Sequence, residues 1–351
     1  MLLLVALVPL IGVGSVTWTR VQQARAQRDR ASATEAEARQ VVHLARLDAA
    51  LVAETNWRAT RAVLAAIEFP PELVAKSLGV DIGHEADVAQ TRVDELLAGW
   101  SGRIVDGGRV RRQVDAARAT SRDFPAALAE YDGIEADVRR PLLSALTSLI
   151  EAGQDGDPDG LAATARRLRS AVELRTSVSR QMDAYFSVLF DVRDGPLAEL
   201  TRLVRLQGEL EAVLGELSAE TPDSGAEHLA LNRVEASEDL AFLRSSVDGL
   251  VGRSLVAGLP AHAPPLTPAA GMNELGTFGP VFTATRAVSA LSVDVIVATG
   301  NSVLDAAVAA ASSAEAAIRR AYLVAASVTV PHSAGPAPPS SRTTIRSWPV
   351  T

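Results

Sequence analysis

The chain opens on an uncharged run, Met1 to Thr19, and turns polar at Arg20. At about 1.5 Å per residue such a run crosses most of a ~30 Å hydrocarbon layer, so the pattern predicts an uncleaved transmembrane anchor. A cleaved signal peptide would bring a basic start, a shorter apolar core and a small-x-small cleavage site, and none of the three stands out here. Trp18 falls where an interfacial aromatic belongs. Arg20, Arg25, Arg28 and Arg30 follow the run, which by the positive-inside rule would put the following domain in the cytoplasm. Against that, Leu-Leu-Leu directly after Met1 reads as if a basic start lay upstream, and residues 31–316 are expected outside the cytoplasm.

Beyond the anchor, apolar residues recur at three- and four-residue steps, and strand-like alternation is nearly missing. The expected fold is all-α: an N-terminal transmembrane helix followed by long antiparallel helices in one or two stacked four-helix-bundle-like units. A first helix should run from Arg20 to Ile67, ending before Pro70-Pro71, with short helices over 71–78 and 84–100. The next spans 105–152, with Pro125 and Pro141 as kinks or breaks. Asp157-Pro158 reads as a cap and restart, opening a helix to Phe190 that resumes after Gly195-Pro196 to Ser218. Ser224 to Glu227 fits a capping box and should open one helix reaching Val256. Residues 258–279 read as a Pro-rich loop, and 280–320 as the final bundle helix.

With 34 Lys plus Arg against 42 Asp plus Glu, the net charge is -8, and Lys76 is the one lysine, so a nucleic-acid partner is not expected. There is no cysteine, which removes disulfides, thiolate metal sites and cysteine nucleophiles. His43, His84, His228, His262 and His332 have no metal-ligand spacing. No phosphate loop or nucleophile elbow is present; no cofactor, no metal and no enzymatic activity are expected.

Charges interrupt the apolar stripes. Leu44, Leu47 and Leu51 step onto Glu54, Arg58 and Arg61, beside Trp57. Leu168, Val172, Met182, Phe186 and Leu189 share a stripe with Arg175 and Ser179. Leu229, Ala236, Leu240, Leu243 and Val247 share one with Arg233. Arginines aimed into a bundle need partners. One reading pairs them with acids such as Glu54. The other gathers Arg58, Arg61, Arg175 and Arg233 around a small planar anion, whose oxygens suit the guanidinium fork.

The segments LARLDAALVAETNWRATRAVLAA, QTRVDELLAG, AALAEYDGIEADVRRPLLSAL and RLRSAVELRTSVSRQ resemble the nitrate- and nitrite-sensing helical domain of bacterial transmembrane receptors, over residues 40–250. The resemblance implies an extracytoplasmic sensor at the cell membrane that acts in signal transduction. It further implies an anion held by arginines, mapping onto Arg58 or Arg61, Arg175 and Arg233. Where the family has an acid-Arg-Gly turn, this chain reads Glu54-Thr55-Asn56-Trp57-Arg58, with the arginine displaced. The rival expectation is a membrane-anchored helical structural or interaction protein without a small ligand. The membrane and a second copy of the chain, as a homodimer, are the expected partners.

Residues 321–330 are uncharged and half the length of a span, and 331–351 form a proline-rich, acid-free tail expected to be disordered. This reads either as a receptor whose second span and output module are cut short or as an anchored protein with a disordered tail.

Overall fold

The computed structural model describes residues 2–66, 75, 79–120, 124–153, 160–190, 196–257 and 268–329. Among these there is no strand, as the apolar periodicity predicts. The helices are α1 (Leu2–Ala66), α2 (Ile82–Ala98), α3 (Gly107–Thr120), α4 (Phe124–Ala152), α5 (Leu161–Phe190), α6 (Pro196–Glu220), α7 (Ala226–Glu235), α8 (Glu238–Ala257) and α9 (Pro268–Thr329). Apart from residue 75, the expected short helix over 71–78 lies outside the described residues, as does the tail from 331.

The chain divides into two units, residues 32–310 and the two ends, 1–31 with 311–351. In the larger unit the core follows the three- and four-residue step. Tyr131, Ile134, Val138, Leu142 and Leu146 bury one face of α4, and Leu203, Leu206, Leu210, Leu214 and Leu217 bury one face of α6. Burying a leucine side chain contributes about 1.5–3 kcal/mol. α5 lies between α4 and α6, and α6 also meets α7 and α8. Two close approaches set the packing. A Cβ on Gly153 would sit 2.5 Å from the Ala162 backbone nitrogen, and one on Gly300 would sit 3.0 Å from Val42.

Several boundaries differ from the sequence expectation. Within 105–152 the described residues form α3 and α4, consistent with the kink or break expected at Pro125; residues 121–123 lie outside the described residues. Pro141 lies inside α4 without ending it. The final helix begins at Pro268, so residues 268–279 are helical where a loop is expected; proline suits the first helical position because its missing N–H would have no intrahelical partner there. The capping box does not form. Gly225, at φ 100°, is the N-cap of α7 with no side-chain hydrogen bond. Glu227 instead is buried and accepts from Arg167 Nε at 2.6 Å, so its carboxylate is committed elsewhere. The single helix expected after Ser224 breaks after Glu235, where Ser237 Oγ accepts the Asp239 N–H at 3.2 Å and starts α8.

In the smaller unit the start of α1 and the end of α9 run antiparallel. Arg25 Nε donates to the Tyr322 hydroxyl at 2.7 Å and stacks over its ring at 5.5 Å. Glu315, seven residues before Tyr322, feels the charge of Arg28. Val16, Trp18, Leu323 and Val324 are exposed here. One helix among the described residues, over Gly279–Ala326, is long and apolar enough to cross a membrane, with a mean hydropathy of 1.6. Because 44% of that apolar window is buried within the protein, a core helix would give the same signature.

Candidate anion site and the buried charge network

Helix α1 carries an alternating set of leucines and polar residues into the interior. Leu44, Asp48, Leu51, Glu54 and Thr55 are all buried, on neighbouring turns of one face. Glu54 is fully buried and accepts four hydrogen bonds. Arg118 on α3 donates through Nε at 2.7 Å and Nη2 at 2.8 Å, the Tyr131 hydroxyl on α4 donates at 2.7 Å, and Arg58 Nε at 3.1 Å. Arg118 continues to Asp94 at 2.8 Å and Arg58 to Gln90 at 3.2 Å. The carboxylate is satisfied by these partners, so this cluster fastens α1 to α2, α3 and α4. Burial, with the Glu54 charge beside it, pushes the Tyr131 phenol well above its ordinary range.

Beside it on α1, through Asp48 and Thr55, a second cluster is less well matched. Arg139 on α4 serves two acids: its Nη2 lies 3.0 Å from Asp48 and 3.4 Å from Glu135. Glu135 also accepts from the Thr55 hydroxyl at 2.8 Å. Burial raises both carboxyls, Glu135 to about 7, with Asp48 and Asp183 adding to the rise and Arg139 opposing it.

Arg175 on α5 is 2% exposed. Its Nη1 donates to Ser289 Oγ at 3.2 Å, its Nε has no partner, and no carboxylate among the described residues comes within ion-pair distance. Burial depresses its pKa to about 10, while Glu135 and Asp48 hold it up from a distance, so the guanidinium is charged at neutral pH. It borders a cavity of about 280 Å³ between α1, α2, α5 and α9, which Asn56, Trp57, Glu85, Arg286 and Ser289 also line. Trp57 meets Phe282 edge-on at 5.3 Å, and the Arg286 guanidinium lies over its indole at 5.7 Å. Arg286 is itself held by Glu85 at 2.7 Å.

The four arginines expected to point inward therefore separate. Arg175 is interior. Arg58 is partly buried and tied to Glu54. Arg61 is exposed, because over three turns the stripe rotates and Trp57 and Leu64 take the core positions. Arg233 is 65% exposed, 3.9 Å from Asp294. The break after Glu235 changes the helical phase, so α7 buries Glu227, Ala230, Leu231 and Val234 instead of the stripe through Leu229 and Arg233. Arg61 and Arg233 thus do not face the interior, and the four do not surround one point. Their neighbours in the structure are others. Asp48, Thr55 and Glu135 had a readable signal, since each sits three or four residues from a buried apolar neighbour on its own helix. Arg118 had the same signal from Val114, four residues before it, but its partner lies 64 residues away and could not be read.

Among the described residues no group of His, Cys, Asp and Glu could hold a metal ion. No protein family, curated protein or solved structure matches the chain.

Proposed function

We propose that the chain is the ligand-sensing region of a bacterial transmembrane signalling receptor. Its bulk lies outside the cytoplasm and it has no catalytic role of its own. A small oxyanion or carboxylate is the ligand, bound in the cavity beside Arg175. The observation that carries this reading is the buried Arg175 guanidinium without a carboxylate partner, since an isolated interior cation is costly and an anion would neutralise it. Ser289 adds a hydroxyl that can donate in turn. The cavity joins α1 and α9, the two helices that also continue into the smaller unit. A ligand drawing Arg175 and Ser289 together would bias the relative register of α5 and α9, and packed helices switch between discrete arrangements. The membrane part of the proposal rests on the apolar run at Met1–Thr19 and on the exposed Val16, Trp18, Leu323 and Val324.

The test is thermal unfolding of the full chain in detergent, titrated with nitrate, nitrite, formate and acetate. At least one anion should raise the melting temperature of the wild type. Arg175→Met should remove that shift without loss of fold, because an apolar side chain of similar volume is tolerated where a buried charge stood. Arg61→Ala and Arg233→Ala should keep it. No shift with any of the anions, or an equal shift in Arg175→Met, would instead favour an anchored structural protein.

A further inference from the structure

A second cavity, of about 560 Å³, opens between α1, α4, α5 and α6 on the other side of Asn56 from Arg175. Its volume is in the range of small-ligand pockets. About half of its lining residues are charged, and both signs stand on each side. On the α1 and α4 side are Thr55, Asp132, Glu135, Arg139 and Arg140; on the α5 and α6 side are Arg180, Asp183, Arg202, Arg205 and Glu209.

Around Glu135 positive charge is shared thinly. Glu135 Oε1 receives the Thr55 hydroxyl, while its Oε2 has only Arg139, at 3.4 Å, and that same guanidinium nitrogen lies nearer to Asp48, at 3.0 Å. One cation thus serves two buried carboxylates, and Asp48 Oδ1 and Arg139 Nε are left without a hydrogen bond. The second side has charge to offer through Arg180, which is exposed, and Arg205, which reaches Glu209 only at 3.6 Å; Arg202 is tied at 3.4 Å to the buried Glu199. A long, exposed contact such as Arg205–Glu209 contributes little and is easily exchanged for a better partner.

We infer that this cavity binds a free α-amino acid, with its ammonium group on Glu135 and its carboxylate on the arginines of α5 and α6. An ammonium brings three N–H donors and a unit positive charge, which is what Glu135 lacks. A carboxylate accepts the paired donors of a guanidinium. A simple anion would satisfy only the arginine side, and a simple amine only Glu135. The cavity exceeds the volume of the charged backbone atoms, so the ligand's side chain also fits inside.

Isothermal titration calorimetry on the full chain in detergent tests this with glycine, serine and aspartate. Each is set beside its deaminated hydroxy acid and its decarboxylated amine. At least one amino acid should bind the wild type. Both analogues should bind roughly tenfold more weakly or worse, as sites built to bond a polar group reject ligands that lack it. Glu135→Gln should lose the preference for the ammonium group, whereas Arg175→Met should keep amino-acid binding, which separates this site from the anion cavity. Arg180→Ala, an exposed change that leaves the fold intact, should narrow the gap between the amino acid and its decarboxylated amine. Failure of every amino acid to bind, equal binding of the hydroxy acid, or unchanged binding in both Glu135→Gln and Arg180→Ala would overturn the assignment.

Discussion

Glu54→Ala should lower the unfolding free energy by about 3–5 kcal/mol, the usual cost of removing one partner from a buried ion pair. The carboxylate is 0% exposed and collects donors from three helices. Its loss leaves the Tyr131 hydroxyl, 0% exposed as a residue, without its acceptor, and leaves Arg118 with the more exposed Asp94 and Asp115 and a backbone carbonyl. Urea unfolding followed by circular dichroism measures the effect. A companion variant, Glu54→Gln, keeps the shape and an acceptor oxygen and should recover part of the loss. A cost under 1 kcal/mol for Glu54→Ala would mean that solvent or a neighbouring acid takes over the arginines.

Stability should also depend on pH through Glu135. Its folded-state pKa is raised to about 7 from an ordinary 4.5, so between those values the folded chain holds a proton that the unfolded chain has released. Stability from this group is greatest at low pH, declines as pH rises from about 4.5 through about 7, and is flat above. The groups facing it are Asp48 from α1, Arg139 from its own helix, and Asp183 and Arg175 from α5. Asp48 is raised as well and adds a slope of the same sign. Glu135→Gln should therefore stabilise the protein at about pH 8 by up to about 3 kcal/mol and flatten most, not all, of the slope. Urea midpoints at about pH 5 and pH 8 decide it. A wild-type protein more stable at the higher pH would contradict the sign.

The all-helical class and most helix spans are legible in the chain because they follow from apolar spacing, which is a local property. The N-cap of α7 is not, although the Ser224 to Glu227 pattern is well formed. What overrides it is Arg167, 60 residues away, which claims the Glu227 carboxylate. Arg233 shows a related failure: a phase carried across an unforeseen break puts a surface residue in the core. Arg175 is placed correctly inside because α5 is uninterrupted through its stripe. Partners across helices are a different matter. That Glu54 faces inward can be read from its spacing to Leu47 and Leu51, but that Arg118 and Tyr131 meet it depends on how three helices cross, which periodicity does not encode.

Trp57 stands at the wall of the Arg175 cavity with an indole that is only 9% exposed, an aromatic edge against it and a guanidinium above it. The chain thereby carries its own optical probe at that position. A dry indole emits at shorter wavelength than a hydrated one, and a charge fixed over the ring shifts that emission further through its electric field. Any anion that neutralises the neighbouring cations changes that field directly. An anion bound in the cavity would therefore alter the emission of Trp57, read as a change over the constant background of Trp18, Trp100 and Trp348, with no label attached.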